Sequence, residues 1–139
     1  MMERPTRVVI TDPHRAMRSA LSVLLDAESD MELVGDGRDL SIALGARGAG
    51  AVDVVLVDEA VAGIASGAAR VALDALSPRA AVVVMGMGDP AMYADAEIAA
   101  GADGYWAKFG DTDALIDLVR AVGGARRTQS RPAPPRLHA

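Results

Sequence analysis

Five short runs of apolar and β-branched residues alternate along the chain with segments whose apolar residues recur at helical spacing. Consecutive parallel strands need crossover connections, which are usually helices, so this alternation predicts a parallel sheet with right-handed crossovers. Helices would then cover both faces of the sheet, as in a doubly wound α/β domain. The predicted strands cover residues 7–11, 31–35, 52–57, 80–85 and 104–107.

Five helices are predicted between and after these strands. Asp12-Pro13 has the form of a helix start, with Asp12 as the N-cap and Pro13 at the first helical position. Further helices are predicted over residues 40–44, 71–76 and 90–100, and a last one is capped by Asp111 or Thr112. The leading candidate for the whole is a flavodoxin-like (βα)5 fold, in which chemistry gathers at the carboxyl ends of the strands.

The composition restricts the kind of core and the location of the protein. Of 139 residues 51% are apolar but only 3% are aromatic, so the core must be aliphatic. No apolar run approaches the roughly 20 residues of a membrane span, and the first seven residues lack the apolar stretch of a signal peptide. We therefore expect one cytoplasmic domain that does not contact membranes. The absence of Cys excludes disulfides and thiolate metal sites.

Charge divides the chain into an acidic body and a basic tail. Residues 1–123 carry ten basic and nineteen acidic side chains, whereas residues 124–139 carry four Arg and no acid. Nucleic-acid binding needs clustered Lys and Arg, so the body is not expected to bind nucleic acid directly. We assign 1–123 to a folded domain and 124–139 to an Arg/Pro-rich linker or disordered tail, because three prolines there forbid a regular helix.

Four residues directly follow predicted strands and should meet at one edge of the sheet: Asp12, Asp58, Gly86 and Lys108. Two nearby carboxylates can hold Mg²⁺ and can offer an oxygen to a phosphoryl donor. Lys108 is the only Lys beside thirteen Arg, and it could pair with a phosphoryl group. Simpler roles stay open at this point. Asp12 would serve equally as a helix cap, Asp58 as a turn residue and Lys108 as a surface residue.

Three blocks resemble the receiver domains of two-component response regulators, especially those of the NarL/FixJ type. They are Arg-Val-Val-Ile-Thr-Asp-Pro-His at 7–14, Asp-Val-Val-Leu-Val-Asp at 53–58 and Ala-Gly-Ala-Asp-Gly-Tyr-Trp-Ala-Lys at 100–108, and the resemblance covers residues 7–123. It implies that Asp58 is the phosphoacceptor position and that Asp12 and Asp58 contact the metal. It also implies that Lys108 senses phosphate and that Tyr105 is the switch residue. Trp106 is expected on the outward surface.

Two positions depart from the family pattern. Pro13 stands where the second acid of the metal-binding pair is usual, and Gly86 stands where a hydroxyl residue meets the phosphoryl group. Pro13 has no side-chain oxygen, so Mg²⁺ binding should be weak at best. Glu59 or His14 are alternative ligands. Without a hydroxyl at residue 86, the usual trigger for Tyr105 is missing.

The resemblance implies a signal-receiving domain from a transcription regulator whose DNA-binding domain is absent from this chain. We expect control by homodimerisation or by a ligand, with weak or no phosphorylation of Asp58 by a histidine kinase. Residues 90–122 are the expected contact surface. The alternative is a small-molecule-binding or enzymatic α/β domain on the same fold. We do not expect an enzyme, since the chain has no Cys, two His and no Gly-rich phosphate loop.

Overall fold

A single parallel sheet is the centre of the computed structural model, which describes residues 4–45, 52–61, 80–99 and 101–129. Its strands are β1 (Thr6–Thr11), β2 (Met31–Gly37), β3 (Val54–Asp58), β4 (Ala81–Gly86) and β5 (Gly104–Ala107). The helices are α1 (Arg15–Asp26), α2 (Leu40–Leu44), α3 (Pro90–Ala99) and α4 (Thr112–Gln129). The strand order is β2-β1-β3-β4-β5, and every pair is parallel. The doubly wound, flavodoxin-like prediction is therefore confirmed.

Two separate apolar clusters lie on the two faces of the sheet. Because side chains alternate along a strand, Val8 and Ile10 belong to one cluster and Val9 to the other. Apolar residues of α1 and α4 pack on the first face, and residues of α2 and α3 pack on the second. The central strands β3 and β4 are buried along their whole length. The nearly continuous apolar runs in the sequence arise from this two-sided burial.

The predicted strands agree with the observed ones to within two residues at each end, and 104–107 agrees at both ends. The helix predicted over residues 71–76 lies outside the described residues. Within the part of the chain that is described, no helix is long and apolar enough to span a membrane.

The predicted start of the first helix is wrong. The helix begins at Arg15, with His14 rather than Asp12 at the N-cap position. The Asp12 carboxylate accepts a hydrogen bond from the His14 N–H at 2.8 Å and is fully buried. Asp12 therefore shapes the turn before α1 and does not cap the helix.

The expected surface position of Trp106 is also wrong. The residue is only 7% exposed, and its indole N–H donates to the carbonyl oxygen of Asp111 at 3.0 Å. Trp106 belongs to the apolar cluster that α4 covers. It is therefore a core aromatic whose polar group has a backbone partner.

The last helix continues through Gly123 and Gly124 to Gln129, so residues 124–129 of the predicted linker or tail are helical. A Cβ atom at Gly123 would lie 2.8 Å from the side chain of Thr6, which is closer than packing allows. Gly123 therefore lets α4 approach the amino-terminal end of β1. Assignment of the chain end to a linker stays a prediction, because residues 130–139 lie outside the described part.

Candidate functional site

Two buried carboxylates meet where the strand order reverses, between β1 and β3. Asp12 directly follows β1 and Asp58 is the last residue of β3, and these strands are adjacent in the sheet. Lys108 directly follows β5, and its ammonium reaches both carboxylates. Its Nζ lies 2.6 Å from Asp12 Oδ2 and also contacts Asp58 Oδ1. The fold thus brings together three of the residues that the sequence placed at one edge.

The charges of this cluster stabilise one another. Burial alone would raise the pKa of Asp12, but Lys108 and the two hydrogen bonds with His14 together lower it. Burial alone would lower the pKa of Lys108, but Asp12 and Asp58 raise it above its usual value. Two carboxylates and one ammonium carry a net charge of −1, so Lys108 reduces, but does not remove, the attraction of the pocket for a cation.

Each carboxylate also has a second partner. The remaining oxygen of Asp12 accepts the His14 N–H and lies 2.9 Å from the ring nitrogen Nδ1 of the same residue. The remaining oxygen of Asp58 accepts the N–H of Ala60 at 2.9 Å. Both oxygens of each carboxylate therefore contact groups of this chain, although the contact of Asp12 Oδ2 with Lys108 is an ion pair without hydrogen-bond geometry.

The residues present fit a Mg²⁺ ion poorly. Pro13 supplies no side-chain oxygen, and no group of three or more potential metal-ligating side chains occurs among residues 4–45, 52–61, 80–99 and 101–129. The two alternative ligands have other partners, since His14 lies against Asp12 and Glu59 Oε1 accepts the Met87 N–H. Mg²⁺ usually binds one or two carboxylates together with several waters, and here Asp12 and Asp58 are already engaged by Lys108 and by backbone N–H groups.

Gly86 lies beside this cluster, at the end of β4. The register that pairs Asp58 with Met85 places the next residues, Glu59 and Gly86, beside each other. A Cβ atom at Gly86 would overlap with Oε2 of Glu59 and with the hydroxyl oxygen of Tyr105. The space that a side chain would fill is thus occupied by these two groups. The sequence indicates only the missing hydroxyl at residue 86, and the position of Glu59 beside it follows from the observed register between β3 and β4.

Tyr105 is buried and points toward the loop after β4. Its hydroxyl donates to the carbonyl oxygen of Gly88 at 3.0 Å. Burial raises the pKa of Tyr105, and the negative charge of Glu59 raises it further. The predicted switch residue is therefore tied to the loop of residues 86–88 in this structure.

A largely apolar cavity of about 690 Å³ opens above the carboxylates. Met17 of α1, Met87 and Phe109 form part of its wall, while Asp58, Glu59 and Lys108 line its polar part. Its volume is in the range of small-molecule pockets. Met87 is 66% exposed, so the cavity is open to solvent on the side of the β4 loop.

Comparison with known proteins shows which regulators this chain resembles. No protein-family model matches the chain. The nitrate/nitrite response regulator protein NarP of Escherichia coli is 30% identical over 117 residues, which are 84% of this chain and 54% of NarP. The transcriptional regulatory protein DegU of Brevibacillus brevis is 32% identical over 125 residues, 88% of this chain and 53% of DegU. The chain is similar to these response regulators over most of its own length, and it has the fold of receiver domains of the NarL type.

The receiver spans about half the length of these two curated relatives. The solved signal receiver domain of the putative response regulator NarL from Mycobacterium tuberculosis has the same fold, with a TM-score of 0.67 and 24% identity. That similarity covers 90% of this chain and 98% of the other. The relatives are named as regulators, which agrees with the regulatory function that the sequence resemblance implied.

Removal of Lys108 should strongly destabilise the receiver. In Lys108→Ala the two buried carboxylates lose their ammonium, so the free energy of unfolding at pH 7 should fall by about 3 kcal/mol. The pKa of Asp12 should rise in the variant relative to wild type, so the folded variant binds protons at higher pH. The deficit relative to wild type should therefore shrink as the pH falls from 7 toward 4. Urea unfolding at several pH values measures both effects.

A background without the Asp12 and Asp58 carboxylates provides the control for this experiment. Lys108→Met in an Asp12→Asn/Asp58→Asn background should cost much less than in wild type, because no buried charge is left unpaired. An equal loss of stability in both backgrounds would show that Lys108 acts through packing alone.

Proposed function

We propose that this receiver regulates its output through association with other copies of itself, with weak or no phosphorylation of Asp58. The single observation that carries the proposal is the position of the Lys108 ammonium, which contacts both Asp12 and Asp58. A phosphoryl donor or Mg²⁺ would have to displace this buried ion pair. Displacement would leave a buried charge unpaired unless the incoming group replaced every contact.

The two departures from the family pattern support the same conclusion. Pro13 removes an anionic oxygen that would help to hold Mg²⁺, and without the metal the charge on a transferring phosphoryl group is poorly neutralised. At Gly86 there is no hydroxyl to bond a phosphoryl oxygen. Phosphorylation of Asp58 by a histidine kinase would therefore be slow, and its effect on Tyr105 would be small. A cytoplasmic, non-enzymatic role agrees with this proposal.

The proposed dimer contact lies on α3 and the elements beside it, within residues 90–122. Met92 and Ile98 are large apolar residues of α3 that are mainly exposed. Exposed apolar side chains on one element often belong to a protein contact. Because the curated relatives are about twice as long, we further propose that an output domain follows this receiver in the complete regulator, and that this domain binds DNA.

Addition of a phosphoryl mimic should leave the receiver unchanged. With Mg²⁺ and beryllofluoride at millimolar concentration, amide NMR signals of Asp58, Lys108 and Tyr105 should show no saturable shift. Asp58→Asn is the matched control, because it removes the acceptor carboxylate and keeps the shape of the side chain. A saturable shift in wild type that Asp58→Asn abolishes would overturn the proposal.

Self-association should not depend on the Asp58 carboxylate. Analytical ultracentrifugation of the wild type and of Asp58→Asn should give the same dimer dissociation constant. Met92→Glu, which introduces a charge on the proposed contact, should weaken the dimer at least about tenfold. Ser22→Glu on α1, away from α3, is the control for added charge. A monomeric wild type, or a Met92→Glu variant that dimerises normally, would contradict this proposal.

The cavity above the carboxylates favours a second candidate function, control by a small apolar ligand. The wall residues Met17 and Met87 and the volume of about 690 Å³ would suit a compact aromatic molecule. Indole is a suitable probe. We expect saturable shifts of the methyl signals of Met17 and Met87, and weaker binding by Met17→Gln. Shifts that rise linearly with indole concentration and do not depend on Met17 would exclude a ligand site here.

A further inference from the structure

The space above Gly86 is filled by two side chains from different elements. Oε2 of Glu59 and the hydroxyl of Tyr105 both occupy positions that a Cβ atom at residue 86 would need. Glu59 follows β3 and Tyr105 belongs to β5, so the strands on both sides of β4 contribute to this filling. The absence of a side chain at residue 86 is therefore compensated by the packing of its neighbours.

The same groups also fix the loop after β4. Glu59 Oε1 accepts the N–H of Met87 at 3.3 Å, and the Tyr105 hydroxyl donates to the carbonyl oxygen of Gly88 at 3.0 Å. A Cβ atom at Gly88 would overlap with the ring of Tyr93, so that ring packs directly on the backbone there. The loop of residues 86–88 thus has side-chain contacts from β5, from α3 and from the segment after β3.

The charge of Glu59 acts on two groups close to this loop, Tyr105 and Glu97. After burial, the charge of Glu59 is the next largest cause that raises the pKa of both Tyr105 and Glu97. Both groups therefore lie within the electrostatic influence of Glu59. A hydroxyl residue at position 86 would bring a hydroxyl group to this place, whereas Glu59 brings a carboxylate.

We propose that Glu59 is a positioning residue that replaces the missing side chain at residue 86 and holds the β4 loop and Tyr105 in one arrangement, whatever the state of Asp58. A negatively charged oxygen accepts a backbone N–H of the loop without any transfer of a phosphoryl group. Gly86 is required for this arrangement because any larger residue would displace Glu59, Tyr105 or both. The inference rests on the proposed phosphorylation-independent function, and it adds the group that acts in place of a phosphoryl signal.

A double-mutant cycle on the full chain tests this coupling, with the Met87 amide and the Tyr105 ring observed by NMR. Glu59→Ala should move the Met87 amide proton upfield, because its acceptor is lost, and should also shift the Tyr105 ring signals. Glu59→Gln keeps an acceptor oxygen and should leave the Met87 amide close to wild type. Gly86→Ser should displace Glu59, so its effect on Met87 should be large in wild type and clearly smaller in Glu59→Ala.

The control is Asp95→Ala, which removes an exposed acid of α3, since its effect should add to that of Gly86→Ser. Additive shifts of Glu59→Ala and Gly86→Ser at Met87, or unchanged Met87 and Tyr105 signals in Glu59→Ala, would overturn the inference. These outcomes are independent of the beryllofluoride titration. A wild-type response to beryllofluoride would overturn the proposed function, but it would leave the coupling between Glu59 and Gly86 to be decided by the cycle.

Discussion

The ion pair of Lys108 with Asp12 and Asp58 is the interaction on which the functional edge of the sheet depends. Its three members follow or end β1, β3 and β5, which are not all neighbours in the sheet. Each of the three is buried, so removal of Lys108 would leave two carboxylates without their ammonium, whereas removal of one carboxylate would leave the other paired with Lys108. The carboxyl ends of these strands are therefore held together by charge, while the apolar clusters hold the sheet to its helices. The turns after β1 and β3 complete the cluster, since each carboxylate also accepts a backbone N–H.

Around this ion pair, two glycines determine which neighbouring side chains can pack against the loop after β4. Gly86 leaves room for Glu59 and Tyr105, and Gly88 leaves room for the ring of Tyr93. The loop between these glycines is thereby packed against side chains, and Met87 between them is left exposed at the mouth of the cavity. These two glycines matter because they lack a side chain and so leave space for neighbouring groups. Their effect on the site comes from the neighbours that move into that space.

Much of the fold could be predicted from the sequence because strand burial is visible as a pattern. The runs that became β3 and β4 are apolar at nearly every position, which only two-sided burial requires. The convergence of Asp12, Asp58 and Lys108 could be predicted from the positions of the strand ends alone.

The start of α1 could not be predicted, because Asp is a common residue at helix N-caps. The observed partners of Asp12 are Lys108, which is distant in the sequence, and His14, which is two residues away. Sequence spacing does not distinguish these partners from a helix cap. The burial of Trp106 depends on where α4 crosses β5, which is a tertiary property. The role of Glu59 depends on the register between β3 and β4, which no local pattern contains.

The contribution of the ion pair to stability affects how the presence of its residues is interpreted. A receiver that no longer uses phosphate would still need Lys108 as long as Asp12 and Asp58 are both present, because two buried carboxylates without an ammonium are costly. The presence of Lys108 beside them is thus explained by stability and is by itself weak support for phosphorylation. Residues 13 and 86 are not part of the ion pair, so the ion pair itself places no demand on them. A chain that depended on phosphoryl transfer would need a side-chain oxygen at both positions, for the metal and for the phosphoryl group. Pro13 and Gly86 are therefore the positions at which this pocket departs from that requirement, and both support the proposed signal other than phosphate.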